Sequence, residues 1–88
     1  MQVRFSNKFK KEINSITDEK LAKAVFMAIE NVKISTAVHN INGIKKLKGH
    51  KNCFRIRIGE YRIGLYLDGK IIEFVRFLNR KEIYKYFP

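Results

Sequence analysis

The chain has 88 residues, is 45% hydrophobic, and carries 19 Lys and Arg against 8 Asp and Glu, a formal net charge of +11. One proline and five glycines exclude a collagen-like or disordered chain, and the length allows one small core, so residues 1–88 are expected to form a single domain. The longest apolar run, Ala24 to Ile29, is far short of the roughly 20 residues that span a bilayer, and no cationic segment leads into an apolar stretch at the start, so neither a membrane contact nor a secretory leader is expected.

Val3 and Phe5 alternate with Gln2 and Arg4, the pattern of a short half-buried strand. Phe9, Ile13 and Ile16 then recur at helical spacing, with Ser6 or Asn7 able to cap a first helix that ends near Ser15. Thr17 offers an N-cap for a second, longer helix, Asp18 and Glu19 suit its positive dipole end, and Leu21, Val25, Ala28, Ile29 and Val32 form one apolar stripe. Lys8, Lys10, Lys11, Lys20, Lys23 and Lys33 fall mostly off the stripes and read as a solvated face. The stretch Ile34 to Gly43 is polar and irregular, with room for a single helical turn. From Ile44 the period changes to two, giving strands near Ile44–Leu47, Cys53–Ile58, Tyr61–Leu67 and Lys70–Leu78, and Lys81 to Tyr86 has room for one more helical turn. The fold class is α+β: two N-terminal helices packed on one face of a small antiparallel β-sheet.

Gly59-Glu60 places glycine first in a two-residue turn, as type II′ requires, and Asp68-Gly69 suits type I′. The first turn sets Ile58 opposite Tyr61, Arg57 opposite Arg62, Ile56 opposite Ile63, Arg55 opposite Gly64 and Phe54 opposite Leu65. Phe54, Ile56, Ile58, Ile63 and Leu65 then face the helices, and Arg55, Arg57, Arg62 and Tyr66 emerge on the other side. Carrying the register across the second turn sends Ile72 and Phe74 to the core, Glu73 and Val75 to the arginine face, and aligns Arg55, Gly64 and Glu73 in one row. Opposed like charges such as Arg57 and Arg62 destabilise a sheet by a few tenths of a kcal/mol, about what an anionic ligand would repay. Gly64 leaves a gap in the row where a phosphate could approach.

Charge is unevenly placed. Residues 1–42 hold seven basic and four acidic side chains, residues 43–88 twelve and four, so a polyanionic partner is expected to meet the second half. Neither His39 nor His50 has a second ligand at metal spacing, and both read as surface residues. The lone Cys53 permits neither an internal disulfide nor a cysteine metal site, which fits a reducing cytoplasm, and it reads as small and partly buried. Tyr61, Tyr66 and Tyr86 can stack on bases, although strand aromatics more often pack.

The runs Lys46-Leu47-Lys48-Gly49, Phe54-Arg55-Ile56-Arg57-Ile58-Gly59-Glu60-Tyr61-Arg62-Ile63-Gly64 and Asn79-Arg80-Lys81-Glu82-Ile83-Tyr84, with the N-terminal Val3-Arg4-Phe5-Ser6 and the two-helix order, resemble the RelE/ParE toxin superfamily, nearest its RelE-like branch. The resemblance covers nearly the whole chain. It implies the toxin of a type II toxin–antitoxin system, neutralised by a cognate antitoxin, that cleaves mRNA on the ribosome with no metal and no small-molecule cofactor. It further implies that Arg55 and Arg57 match two basic strand positions that are commonly lysine, that Arg62 matches a phosphate-contacting arginine and Arg80 the arginine after the last strand. Tyr84 matches a C-terminal tyrosine that stacks on a base or assists proton transfer. Lys46, Lys48, Lys51 and Lys81 are expected to contact RNA. The chain departs from the pattern at Asn79, where many relatives carry histidine.

Such cleavage is attack of a ribose 2′-OH on the adjacent phosphorus, giving a cyclic phosphate and a free 5′-OH. The arginines supply charge stabilisation and, being permanently protonated, are poor bases. Among the remaining groups Tyr84 is the first choice for proton transfer, since nearby guanidinium groups favour a phenolate, with Glu73 and Glu82 as rivals. Two other readings stay open: a ParE-type inhibitor of DNA gyrase, and a non-catalytic basic RNA-binding module. The antitoxin is expected to be acidic, to cover the basic half, and to grip an exposed apolar tail of Ile83, Tyr84, Phe87 and Pro88.

Overall fold

A computed structural model describes residues 1–88. In chain order it contains β1 (Gln2–Phe5), α1 (Asn7–Asn14), α2 (Glu19–Ile34), a 3-10 turn at Val38–Asn40, β2 (Ile44–Lys46), β3 (Cys53–Ile58), β4 (Tyr61–Asp68), β5 (Ile71–Asn79) and the one-turn helix α3 (Ile83–Tyr86). The strands form one sheet in the order β1-β5-β4-β3-β2. Three of its pairings are antiparallel, as expected; β1 runs parallel to β5, which the two intervening helices make possible by returning the chain to the same end of the sheet.

Both helices start on side-chain caps. Ser6 Oγ accepts the Phe9 N–H at 3.0 Å and donates to the Val75 carbonyl at 2.6 Å, so one hydroxyl both starts α1 and ties it to β5. The cap of α2 is Asp18 rather than the expected Thr17: its carboxylate accepts from the N–H groups of Lys20 and Leu21 at the dipole's positive end. The expected stripes pack onto the sheet. Phe9, Val25, Val32, Ile56, Ile63, Leu65, Ile72, Phe74 and Phe77 are buried in the main core, and the rings of Phe5, Phe9 and Phe74 meet at centroid separations of 5.2 to 5.9 Å. The six helix lysines named above are all exposed.

Register between β3 and β4 is the expected one, from Ile58↔Tyr61 through Arg57↔Arg62 and Arg55↔Gly64 to Phe54↔Leu65. Between β4 and β5 it differs. Asp68 pairs with Ile71, so the turn residues are Gly69 and Lys70, not Asp68 and Gly69. Only Gly69 has positive φ, at 62°, which rules out type I′ with its two positive φ values. Further along, a bulge falls between Gly64 and Leu65 of β4: Leu65 pairs with Phe74 but Gly64 with Arg76, leaving Val75 the extra residue. The bulge turns Phe77 into the core beside Ile63, and turn and bulge together put Arg76, not Glu73, opposite Gly64. The row Arg55, Gly64, Glu73 therefore does not exist. Glu73 sits opposite Tyr66 and bonds Arg4 on β1 at 3.1 Å, so it is removed as a proton-transfer candidate.

The sheet face away from the helices is not simply open. Leu47, Cys53, Ile83 and Phe87 form a second buried cluster, packed against Val75 and Leu78. Ile83 is 0% exposed and Phe87 4%, which corrects the expectation of an exposed apolar tail; Tyr84 alone of its apolar residues before Pro88 faces outward. Cys53 is buried there, and burial pushes its thiol pKa up. No helix is long and apolar enough to cross a membrane.

Candidate nucleic-acid interface

Strand alternation puts Arg55, Arg57 and Arg62 on the face away from α1 and α2. The polypeptide after β5 then brings Arg80, Lys81 and Tyr84 to the same place. Arg55, Arg62, Arg80, Lys81 and Tyr84 line one shallow depression of about 330 Å³. Its four cations and one phenol surround a volume open to solvent, the arrangement that an extended polyanion can enter.

Arg62 is the centre of this charge. Burial first, and then repulsion from Arg55 and Arg57, pull its pKa below the ordinary arginine value; Arg80 adds to the repulsion and Tyr84 opposes it. The group stays protonated at neutral pH, so the shift describes a cation held where the fold disfavours it and an anion would relieve it. What holds it is the hairpin: Arg62 Nη1 donates to the carbonyls of Gly59 and Tyr61, each at 2.8 Å. Both bonds leave from one nitrogen, so Nε and Nη2 remain to meet a ligand.

Arg80 is tethered to the same hairpin tip. Its N–H donates to the Glu60 carbonyl at 2.8 Å and its Nε meets Glu60 Oε2 at 2.7 Å. Glu60, a turn residue without an expected role, is therefore the carboxylate nearest to the cluster. Glu82 is directed to Lys85 at 3.8 Å and borders a different groove with Glu12 and Asp18. Arg57 is exposed and borders a groove against α2, close enough to act on Arg62 but outside the depression. Lys46, Lys48 and Lys51 are exposed in and after β2 and do not line it. His39 and His50 are exposed, and Tyr61 packs on Phe77 at 5.0 Å.

The gap at Gly64 is filled. A Cβ there would stand 2.7 Å from the Phe87 ring, so the space beside Arg55 belongs to Phe87 and not to a phosphate. Arg76 is also set apart from the other cations: Glu12 neutralises it at 2.6 Å, and its guanidinium lies 5.5 Å from the Tyr86 ring centroid.

The repulsion has a measurable consequence. Arg57→Gln keeps most of the stem and removes one of two opposed charges, so stability in urea should rise by a few tenths of a kcal/mol at low salt, with the gain fading as salt rises. A loss of stability at low salt would contradict the electrostatic account.

The chain is thus a small α+β domain whose sheet carries a cationic depression lined by a tyrosine of its last helical turn, a site of the chemistry that binds anions. The chain matches the family model described as the ParE toxin of type II toxin–antitoxin systems, parDE, over residues 3–84. It is 39% identical over 89 residues, spanning all of both chains, to Toxin RelE3 of Methanocaldococcus jannaschii. Its fold resembles the RelB–RelE antitoxin–toxin complex from Methanococcus jannaschii, with a TM-score of 0.77 and 38% identity, covering 96% of this chain and 98% of that one. It also resembles the archaeal RelE–RelB complex from Pyrococcus horikoshii, with a TM-score of 0.72 and 17% identity over 90% and 93%, a likeness of fold alone. The chain belongs to the RelE/ParE superfamily of toxins from type II toxin–antitoxin systems.

Proposed function

We propose that this protein is a ribosome-dependent endoribonuclease that inhibits translation in the cytoplasm by cutting mRNA. The observation that carries the reading is the convergence of Arg55, Arg62, Arg80 and Lys81 with the exposed Tyr84 in one depression. In the reaction the 2′-OH attacks the neighbouring phosphorus and the 5′ oxygen leaves. Arg62 and Arg80 hold the phosphoryl oxygens as negative charge builds, Arg55 and Lys81 steer the flanking backbone, and Tyr84 gives its hydroxyl proton to the leaving 5′ oxygen while a water takes the proton of the attacking 2′-OH.

The depression is open to solvent, so this reading assigns to the ribosome the second surface that bends the mRNA into in-line geometry. In a cell-free translation system the protein should cut mRNA with ribosomes present and leave naked mRNA intact. Intact mRNA together with blocked DNA gyrase would favour the ParE-type reading, which has the family match on its side. Salt-sensitive RNA binding with neither effect would leave a binding module.

Tyr84→Phe keeps the ring and removes the hydroxyl. Single-turnover cleavage should fall by about 10²-fold, the usual reach of general acid–base catalysis, with ribosome affinity unchanged. An unchanged rate would hand the proton role to Glu82 or Glu60.

The partner that restrains the toxin is proposed to be an acidic antitoxin seated over residues 43–88. An inhibitor presenting carboxylates to the Arg62 depression gains encounter rate and competes directly with RNA. Its affinity should fall steeply with added salt, and RNA should displace it. A complex in which Arg62, Arg80 and Tyr84 stay accessible would contradict this placement.

A further inference from the structure

We infer that Phe87 is a positioning residue for Tyr84, and that Gly64 is glycine because Phe87 must dock there. The inference rests on the nuclease reading and adds to it a residue outside the depression.

Gly64 differs from the other four glycines. Gly43, Gly49, Gly59 and Gly69 all have positive φ, whereas Gly64 lies in the middle of β4 with ordinary strand geometry, so its backbone would accept an alanine. Space is what it supplies. A Cβ at 64 would lie 2.7 Å from two ring carbons of Phe87 and 2.9 Å from a third, with the ring itself 4% exposed. Glycine inside a strand weakens it, and close approach of another group is the usual reason for one.

The docked ring determines where Tyr84 stands. Helix α3 has only four residues and no side-chain cap, too short to persist alone. It is held by two buried side chains one turn apart, Ile83 and Phe87, and closed by the Phe87 N–H donating to the Ile83 carbonyl at 2.8 Å. Tyr84 is 59% exposed and contributes little to its own placement. With Phe87 seated between the Arg55 and Arg76 positions of the Gly64 row, the turn presents Tyr84 to Arg55, Arg62 and Arg80. Without that anchor the turn is pinned at Ile83 alone, and Tyr84 swings with it.

The test uses the full chain. Phe87→Ala and Gly64→Ala should each lower the single-turnover rate at saturating ribosomes by about tenfold or more, since catalytic groups misplaced by about 1 Å cost that much. The concentration giving half-maximal rate should stay unchanged, because the arginines are untouched. Phe87→Leu, which can still fill the site, should recover most of the rate. Gly64→Ala should add nothing in a Phe87→Ala background, and Phe87→Ala should add nothing in a Tyr84→Phe background. Additive losses, or a loss confined to the half-maximal concentration, would overturn the inference. A readout without substrate separates this from the nuclease reading: in selectively labelled free protein the Tyr84 ring resonance should move in Gly64→Ala and Phe87→Ala and return in Phe87→Leu. An unmoved resonance overturns the positioning role whatever the activity, whereas a wild-type protein that cuts no mRNA counts against the nuclease reading alone.

Discussion

Replacing Arg62 by alanine is expected to lower mRNA cleavage by about 10²-fold or more while the fold survives, as removal of one preorganised oxyanion donor does. The guanidinium is not free to wander: two carbonyls of the Gly59–Tyr61 turn hold Nη1 while the side chain lines the depression. Arg62→Lys keeps the charge yet cannot make two carbonyl bonds and present a fork to phosphate, so it should recover only part of the loss. Arg80→Ala should show a comparable loss of cleavage. Arg80 has to give up or share Glu60 when RNA arrives, but that pair is about half exposed on one side and more on the other, and exposed pairs contribute only about 0–1 kcal/mol, which a phosphate readily exceeds. Because Arg62 is crowded by like charge, Arg62→Ala should unfold no earlier in urea than the wild type. Cleavage within about threefold of wild type in both variants, with the fold intact by circular dichroism, would remove the clamp from the mechanism.

The difference between what was readable in the chain and what was not is clearest on either side of β4. On the β3 side, Gly59-Glu60 admits one two-residue turn, and every cross-strand partner follows from counting outward. On the β5 side, Asp68-Gly69-Lys70 holds one glycine that can serve as second residue of one turn type or first of another. The choice moves the register by two residues, which leaves inward and outward faces unchanged but changes every neighbour. The bulge at Val75 then moves it by one more and exchanges faces, sending Phe77 inward. The trace it leaves in the sequence is that Glu73 and Arg76 stand three apart, which strict alternation cannot put on one face. Glu73 is misplaced by the turn alone, since it pairs with Tyr66 on the turn side of the bulge.

The site divides in the same way. Arg55, Arg57 and Arg62 were readable from alternation, Arg80 and Tyr84 from family resemblance. Glu60 was not, because its neighbour in space is twenty positions on, brought beside it by the pairing of Tyr61 with Asn79. Gly64 looked like an opening because a strand pattern shows which face a residue takes, not what returns from the chain's end to cover it. Phe87 and the second apolar cluster are long-range packing, carried by burial of Leu47, Cys53, Val75 and Leu78 on a face that alternation alone marks as solvated.

Glu12→Ala should have the opposite profile to Arg62→Ala, a large loss of stability from a residue that no substrate reaches. Glu12 Oε2 accepts from Arg76 Nε at 3.0 Å and Nη2 at 2.6 Å, while Oε1 accepts the Phe77 N–H at 2.7 Å. That N–H needs a side-chain partner because β1 ends opposite Phe74 and leaves the β5 edge unpaired beyond it. The pair is 15% and 19% exposed, so alanine strands a mostly buried guanidinium and a backbone donor together, at a cost of about 3 kcal/mol. For a domain of this size that lowers Tm by about 10–25 °C. Glu12→Gln, still able to accept from the Phe77 N–H, should lose less. Replacing Glu12 and Arg76 together by methionine removes both charges and should restore much of the loss, short of what the Phe77 N–H still lacks. A Glu12→Ala variant within about 1 kcal/mol of wild type in urea denaturation would show the network to be incidental. At temperatures well below its reduced Tm the same variant should cleave mRNA at near the wild-type rate, since Arg76 takes no part in holding phosphate and the Arg62 depression forms from β3, β4 and the chain after β5.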